Sequence, residues 1–309
     1  MTNSSFLRSS TFLLTGIPGM ESGNVWLAIP FCCVYVISIL GNSAILFVIK
    51  AERSLHEPVY LFLCMLAIAE LDVSLSMLPT VLSMLLCDSQ IRFHTCLAQM
   101  FFICSFSIPD SGVLRAMAFD LFMAILQYAP ILTNPRIGVI GLGFTVRSIS
   151  LLLPLPILLK KLSFCRSQVL AHSFCLHPNL LQLPCADIKV NSMYGCFVIL
   201  ATFGLDLSIL LSCAMIIKSV LSITSKEECL KALNTCPKHS HICAVLIYYI
   251  PMIGLSMAYR FGKPASPLIH VLMANIYFLV PPVLNPIIYS VKTKQIHRGI
   301  HKLLTPRRR

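Results

Sequence analysis

The chain is a series of long, uninterrupted apolar runs separated by short polar stretches. The runs fall at roughly 26–50, 57–84, 96–125, 138–158, 192–222, 240–259 and 266–291. Each reaches the length of about 20 residues that a helix needs to cross the hydrocarbon core of a bilayer. None alternates with the period of two that marks the strands of a membrane barrel. The pattern predicts an all-α membrane protein, a bundle of seven transmembrane helices. The third run is the least regular, because it carries Asp110, Arg115 and Asp120.

Composition agrees. Of 309 residues, 57% are hydrophobic and only 12% charged, with a mean hydropathy of +0.82. Soluble domains carry about twice that charge. Seven spans and their loops fill the chain, which predicts a single domain over 1–309. Its parts are an extracellular segment 1–25, a bundle 26–291 and a basic cytoplasmic tail 292–309. With the N-terminus outside, fourteen Lys and Arg fall on the inner side and eight on the outer, with Arg115 and Arg147 within spans. Basic residues collect on the cytoplasmic side of membrane proteins, so the bias predicts N-out, C-in. The net charge of +12 is then mostly an inner-leaflet charge, and nucleic acid is not an expected partner.

The first twenty-odd residues lack a charged start followed by an apolar core. The first span is therefore expected to insert the chain. Asn3-Ser4-Ser5 is an Asn-x-Ser acceptor for glycosylation, on the side where sugars are added. About half of the fourteen cysteines lie inside spans, where Cys behaves as a small hydrophobe. Four lie on the outer face: Cys96, Cys165, Cys175 and Cys185, with Cys87 a possible fifth. Four cysteines allow three pairings, and spacing does not choose among them. A loop as long as the one between spans 4 and 5 calls for a function or a staple.

Several chemistries are excluded. No Lys lies between Leu268 and Ser290, so span 7 offers no amine for a retinal Schiff base. Ile103 in the third run is apolar and offers no anchor for a cation. There are no inverted repeats with paired broken helices, as transporters have. His239 and His241 are not at the i, i+4 spacing of a helical zinc site, and Glu70, Asp72, Asp110 and Asp206 form no recognisable acid pair. The chain does not read as an enzyme, and no cofactor is called for.

The informative motif is Asn285-Pro286-Ile287-Ile288-Tyr289 at the end of the last run. It resembles the span 7 signature of rhodopsin-like (class A) G-protein-coupled receptors. Further segments resemble the olfactory receptors, in their class I or fish-like subgroup, nearly end to end. They are Leu14-Thr15-Gly16-Ile17-Pro18-Gly19, Gly41-Asn42, Leu55-His56-Glu57-Pro58-Val59-Tyr60, Met117-Ala118-Phe119-Asp120, Ser163-Phe164-Cys165 and Lys231-Ala232-Leu233-Asn234-Thr235-Cys236.

That resemblance implies a receptor in the plasma membrane of olfactory cilia. It would bind a small odorant in the bundle and raise cAMP through a stimulatory heterotrimeric G-protein. The resemblance also implies disulfides Cys96–Cys175 and Cys165–Cys185. It makes Arg260, one turn after Ser256, an anchor for an aliphatic acid, since a guanidinium forks onto a carboxylate. Pocket walls would come from Ile103, Cys104, Ser107 and Ile108 of span 3 and from Phe197, Leu200 and Phe203 of span 5. A switch and polar core would comprise Asn42, Glu70, Asp110, Asp120, Asn285, Pro286 and Tyr289, with Glu70 in a sodium niche. The basic tail would meet membrane lipids.

The chain also departs from the family. Leu121 and Phe122 replace the Arg and aromatic residue that follow Asp120 in relatives, and about three residues are missing after them. Cys213 replaces a Tyr in span 5, Glu70 replaces Asp, and Asp110 stands where class I relatives carry Glu. Cys104 replaces His and Pro178 replaces Gln, each removing hydrogen-bond capacity toward an acid. Span 6 opens with Pro237 and two extra residues, and Arg115 places a costly charge in span 3. Two readings follow: a signalling odorant receptor, or a coupling-deficient or decayed member of the same family.

Overall fold

The structure is a computed structural model that describes residues 11–15, 24–86, 90–125, 133–164, 169–170, 174–202, 204 and 267–305. Its long helices are α1 (Asn24–Ala51), α2 (Pro58–Leu86), α3 (Phe93–Ile125) and α4 (Asn134–Leu152), which is followed by α5 (Pro154–Lys160). A short α6 (His177–Leu180) lies in the outer loop. Helix α7 covers 189–202, α8 is Pro267–Lys292 and α9 is Lys294–Leu304. Among the described residues, five stretches are long and apolar enough to cross a membrane: Cys32–Ala51, Val59–Ser83, Phe93–Leu114, Asn134–Lys160 and Met273–Val291. The sixth predicted span lies outside the described residues, as does most of the fifth.

Most helix ends fall within a few residues of the apolar runs. The fourth span differs: it starts at Asn134 rather than 138 and is interrupted at Leu153. Pro135 sits in the first turn, where its missing N–H has no helical partner to lose. Asn134 also donates from Nδ2 to the His56 carbonyl, 3.0 Å away. At the other end, Pro154 cannot donate into the ladder, so the helix restarts there.

Three apolar clusters stack from inside to outside. The inner one joins Ile45 and Val48 of α1, Phe62 and Leu66 of α2, Met117 of α3, Ile137 of α4, Tyr289 of α8 and Ile296 of α9. The middle one joins Tyr35, Val73, Met77, Ile103, Ala274 and Phe278 with Phe174 and Leu176 of the outer loop. The outer one gathers Phe93, Leu97, Met100, Leu152, Leu155 and Val198 beneath a small sheet.

That sheet was not expected from the apolar pattern. Strand β1 (Thr11–Leu14) lies between β2 (Gln90–Arg92) and β3 (Val169–Leu170). It pairs antiparallel with β2, Thr11 opposite Arg92, and parallel with β3, Leu14 opposite Leu170. Alternation along a strand turns Phe12 and Leu14 inward and Leu13 outward. Phe12, Phe93 and Phe164 meet edge to face, with centroids 5.2–5.8 Å apart. Cys96 at the outer end of α3 is joined to Cys175 by a disulfide. Gln99 reinforces this tie. It accepts from the Cys175 N–H at 3.0 Å and donates to the Ser76 carbonyl and the Thr80 hydroxyl at 3.0 and 2.7 Å. Cys185 is also disulfide-bonded, and Cys165 lies outside the described residues.

His177, the first residue of α6 in this loop, is buried against α7. A Cβ on Gly195 would come within 2.7 Å of its ring, so glycine at 195 lets the loop seat that deeply. Burial pushes the His177 imidazole down from its ordinary 6.5 to about 4. The folded state thus binds the proton more weakly than the unfolded chain does. Its stability is intact above pH 6.5 and is lost as pH falls from 6.5 toward 4, by on the order of 3 kcal/mol at full effect. The thermal midpoint of the purified protein is expected to fall between pH 7 and 4.5, and His177→Gln to flatten that dependence. An unchanged slope in the variant would place the acid sensitivity elsewhere.

Candidate functional site

The polar residues of the bundle collect around the prolines of α8. Pro286 has no N–H, so the carbonyl of Pro282 one turn earlier loses its helical donor. Asn42 of α1 supplies the missing donor: its Nδ2 lies 3.0 Å from the Pro282 oxygen and 3.1 Å from the Ser38 oxygen. The preceding residue, Gly41, lies directly against the proline ring. A Cβ there would come within 2.9 Å of Pro286 Cβ. Glycine and asparagine side by side therefore let α1 approach the break and repair it.

Asn285 donates through Nδ2 to Oε1 of Glu70 on α2, both buried. Ser38 and Ser74 share a hydrogen bond of 2.7 Å between α1 and α2. Beside them is a narrow cavity lined by Glu70, Val73, Ser107, Asp110, Tyr277, Phe278, Pro281 and Pro282. About 10 Å³ of it is open to the centre of a water-sized sphere. That is close to the least that holds one water or one small ion. Glu70 Oε2, Asp110 Oδ1 and Asn285 Oδ1 are buried with no hydrogen-bond partner. Two carboxyl groups and an amide oxygen make a set of hard oxygen donors, the chemistry that suits a small hard cation.

Of the expected pocket walls, Ile103 is fully buried in the middle cluster beside Phe278 and below Phe174. The rings of Phe174 and Phe278 meet at 5.4 Å and close the bundle from above. Ser107 lines the narrow cavity and donates to the Ile103 carbonyl at 2.7 Å. Cys104 and Ile108 turn toward the outer cluster instead. Tyr289 is buried in the inner cluster.

Phe197 and Leu200 correct the sequence reading. They are 54% and 64% exposed, on the outer surface of α7. Their i, i+3 spacing does place them on one stripe. Asn191, Gly195 and Val198 are the residues of α7 that pack inward, so that stripe faces lipid. Phe203, Ser256, Arg260, Cys165 and Asn3 lie outside the described residues, as do the side chains of Arg115 and Asp120.

Sequence reasoning missed three contacts. Arg147 of α4 donates to the Ala201 carbonyl at 2.8 Å, an intramembrane charge satisfied by backbone. Tyr60 of α2 donates to Gln295 of α9. Lys302 of α9 pairs with Glu52 at 2.6 Å. None of these three carries a signal in the sequence, whereas the Pro282/Pro286 spacing does foretell the orphan carbonyl that Asn42 satisfies.

Long membrane-capable helices, a last span with three prolines inside it and an outer-loop disulfide are the features of the seven-helix membrane fold. Squid rhodopsin has this fold: its crystal structure matches with a TM-score of 0.69, covering 91% of this chain and 85% of that one at 16% identity. A sequence model described as olfactory receptor matches residues 31–307. Olfactory receptor 51G2 of Homo sapiens is 56% identical over 95% of both chains. Olfactory receptor 51I2 of Homo sapiens is 52% identical over 94% of this chain and 95% of its own. The chain belongs to the olfactory receptor family. It is a multi-pass receptor of the plasma membrane and not an enzyme.

Asn42→Ala would leave the Pro282 carbonyl buried without a donor, at a cost of about 1–3 kcal/mol. Gly41→Val would drive a branched side chain into Pro286. Both are expected to lower the thermal midpoint of the detergent-solubilised receptor. Ser43→Ala, on the exposed side of α1, is the control and should leave it unchanged.

Proposed function

We propose that this receptor binds a small, mostly apolar odorant and signals through a stimulatory heterotrimeric G-protein to raise cAMP. The observation that best supports a switch is the Asn42–Pro282 bond across the break in α8. A helix that lacks a ladder hydrogen bond at proline can bend there, and a ligand that binds one bend better than another shifts the balance between them. Ile103, Phe106, Phe174 and Phe278 pack as one apolar cluster, the kind of side-chain set that would surround a hydrocarbon ligand. Arg260 and Ser256 are proposed as the carboxylate anchor of an aliphatic acid, a reading that rests on the family resemblance.

The second reading is a receptor that no longer couples. It is favoured by Leu121 in the place of the Arg that follows Asp120 in relatives, and by the shortened inner loop. Ligand-evoked cAMP, in cells scored for surface display of an N-terminal tag, separates the two. A signalling receptor responds to a member of an aliphatic acid panel and loses at least most of that response with Arg260→Ala. A displayed receptor that stays silent across the panel, yet responds once Leu121→Arg and the inner loop are restored, is coupling-deficient.

We also propose that Glu70, Asp110 and Ser107 hold a monovalent cation in the resting state. Sodium, against an equal concentration of choline, is then expected to raise the thermal midpoint of the wild-type receptor by ordinary ligand stabilisation. Asp110→Asn should lose most of that increment. Equal increments in both proteins would remove the cation from this cavity.

A further inference from the structure

Helix α9 is docked on the inner end of α1 by three contacts of different kinds. Gly299 lies so close to α1 that a Cβ on it would stand 2.3 Å from Val48 Cγ1. Ile296 is fully buried in the inner cluster, and Ile300 packs against the same cluster. Lys302 pairs with Glu52 just past the end of α1. These contacts leave a cleft of about 200 Å³ between the two helices, lined by Phe47, Val48, Ala51, Glu52, Gly299, Lys302 and Leu303.

The position of this cleft is informative. Phe47, Val48 and Ala51 belong to the last turn of a membrane span that ends at Ala51. The cleft therefore straddles the boundary between hydrocarbon and headgroups on the inner leaflet. Its apolar walls open outward: Phe47 is 58% and Leu303 42% exposed. At the water side it ends in charge. Lys302 and Glu52 form the rim, and Arg298 lies one turn before Lys302 on the same side of α9, exposed. A cleft of that volume has room for a segment of one acyl chain and is too small for a partner helix.

We propose that this cleft binds an inner-leaflet phospholipid whose headgroup carries both a net negative charge and an amine, of the phosphatidylserine type. An acyl chain lies along Phe47, Val48 and Leu303. The phosphate meets Lys302, the headgroup carboxylate meets Arg298, and the ammonium meets Glu52. A lone anion would compete with Glu52 for Lys302, and a neutral zwitterion would leave Arg298 uncompensated. The serine headgroup matches all three charges. The bound lipid would fasten α9 to α1 in the leaflet where such lipids are concentrated.

The test uses the full-length receptor in nanodiscs of phosphatidylcholine doped with a diazirine-tagged acyl lipid. The lipid is phosphatidylserine, phosphatidylglycerol or phosphatidylethanolamine, and labelled peptides of α1 and α9 are counted by mass spectrometry. Labelling by phosphatidylserine is expected to exceed the other two severalfold. Lys302→Ala should lower it about fivefold, the effect of one basic residue at a membrane surface. Ala51→Trp, which fills the cleft from an exposed position, should abolish it while surface display persists. Labelling indifferent to headgroup would show annular lipid only and overturn the proposal. Phosphatidylglycerol matching phosphatidylserine would overturn the role of Glu52 and with it the lipid class. Full labelling in both variants would remove the lipid from the cleft. None of these outcomes depends on odorant binding or on coupling.

Discussion

Pro286 cannot donate a hydrogen bond, and much of the bundle is arranged around that single missing donor. An unpaired carbonyl in hydrocarbon costs several kcal/mol. The Pro282 carbonyl therefore needs a partner from another helix, and Asn42 is that partner. The amide reaches it only because Gly41 lets α1 approach the proline ring. Asn285, next to Pro286, reaches instead to Glu70 on α2. A local defect in one helix thus becomes the reason that α1, α2 and α8 converge at mid-bundle, and why three polar side chains are buried there.

The outer and inner ends are closed by different means. Outside, water is available and loops are long, so closure is by backbone pairing and covalent bonds. The sheet β2-β1-β3 joins the N-terminal segment, the end of α2–α3 and the long loop, with the Cys96–Cys175 bond beside it. Inside, closure is by packing and charge: Gly299 against Val48, Tyr60 to Gln295, and Lys302 to Glu52. The exposed ion pair by itself contributes little. Its weight comes from its position over an apolar cleft in the inner leaflet.

The acids of the bundle are held differently from its amides. Asn42 and Asn285 donate to named partners, whereas Glu70 keeps one carboxyl oxygen, and Asp110 one, with no hydrogen bond. Buried carboxyl oxygens without donors are costly unless protonated, hydrated or bound to a cation. The narrow cavity lies where such a compensating species would sit. Pro281 and Pro282 of α8 form part of the wall of that cavity, so a bend of α8 at its prolines would change the surroundings of both carboxyl groups.

Much of this architecture was legible in the chain. Long apolar runs have only one stable form in a bilayer, because every backbone group must be paired within the segment. The five membrane-capable helices among the described residues, and most of their ends, therefore follow from the pattern. The Asn-Pro motif, Gly41-Asn42 and Glu70 were legible as residues, since polar groups and prolines are rare in hydrocarbon. Which of them touch was not, because the partners lie up to 240 residues apart in sequence. The outer sheet escaped because Thr11–Leu14 has too few residues to show a period, and its strands exist only when three distant segments meet. Phe197 and Leu200 show the same limit. Periodicity places both on one stripe of α7, but an apolar stripe is equally stable against lipid and against protein. Only the packing of Val198, Asn191 and Gly195 against the rest of the bundle settled which way that stripe turned.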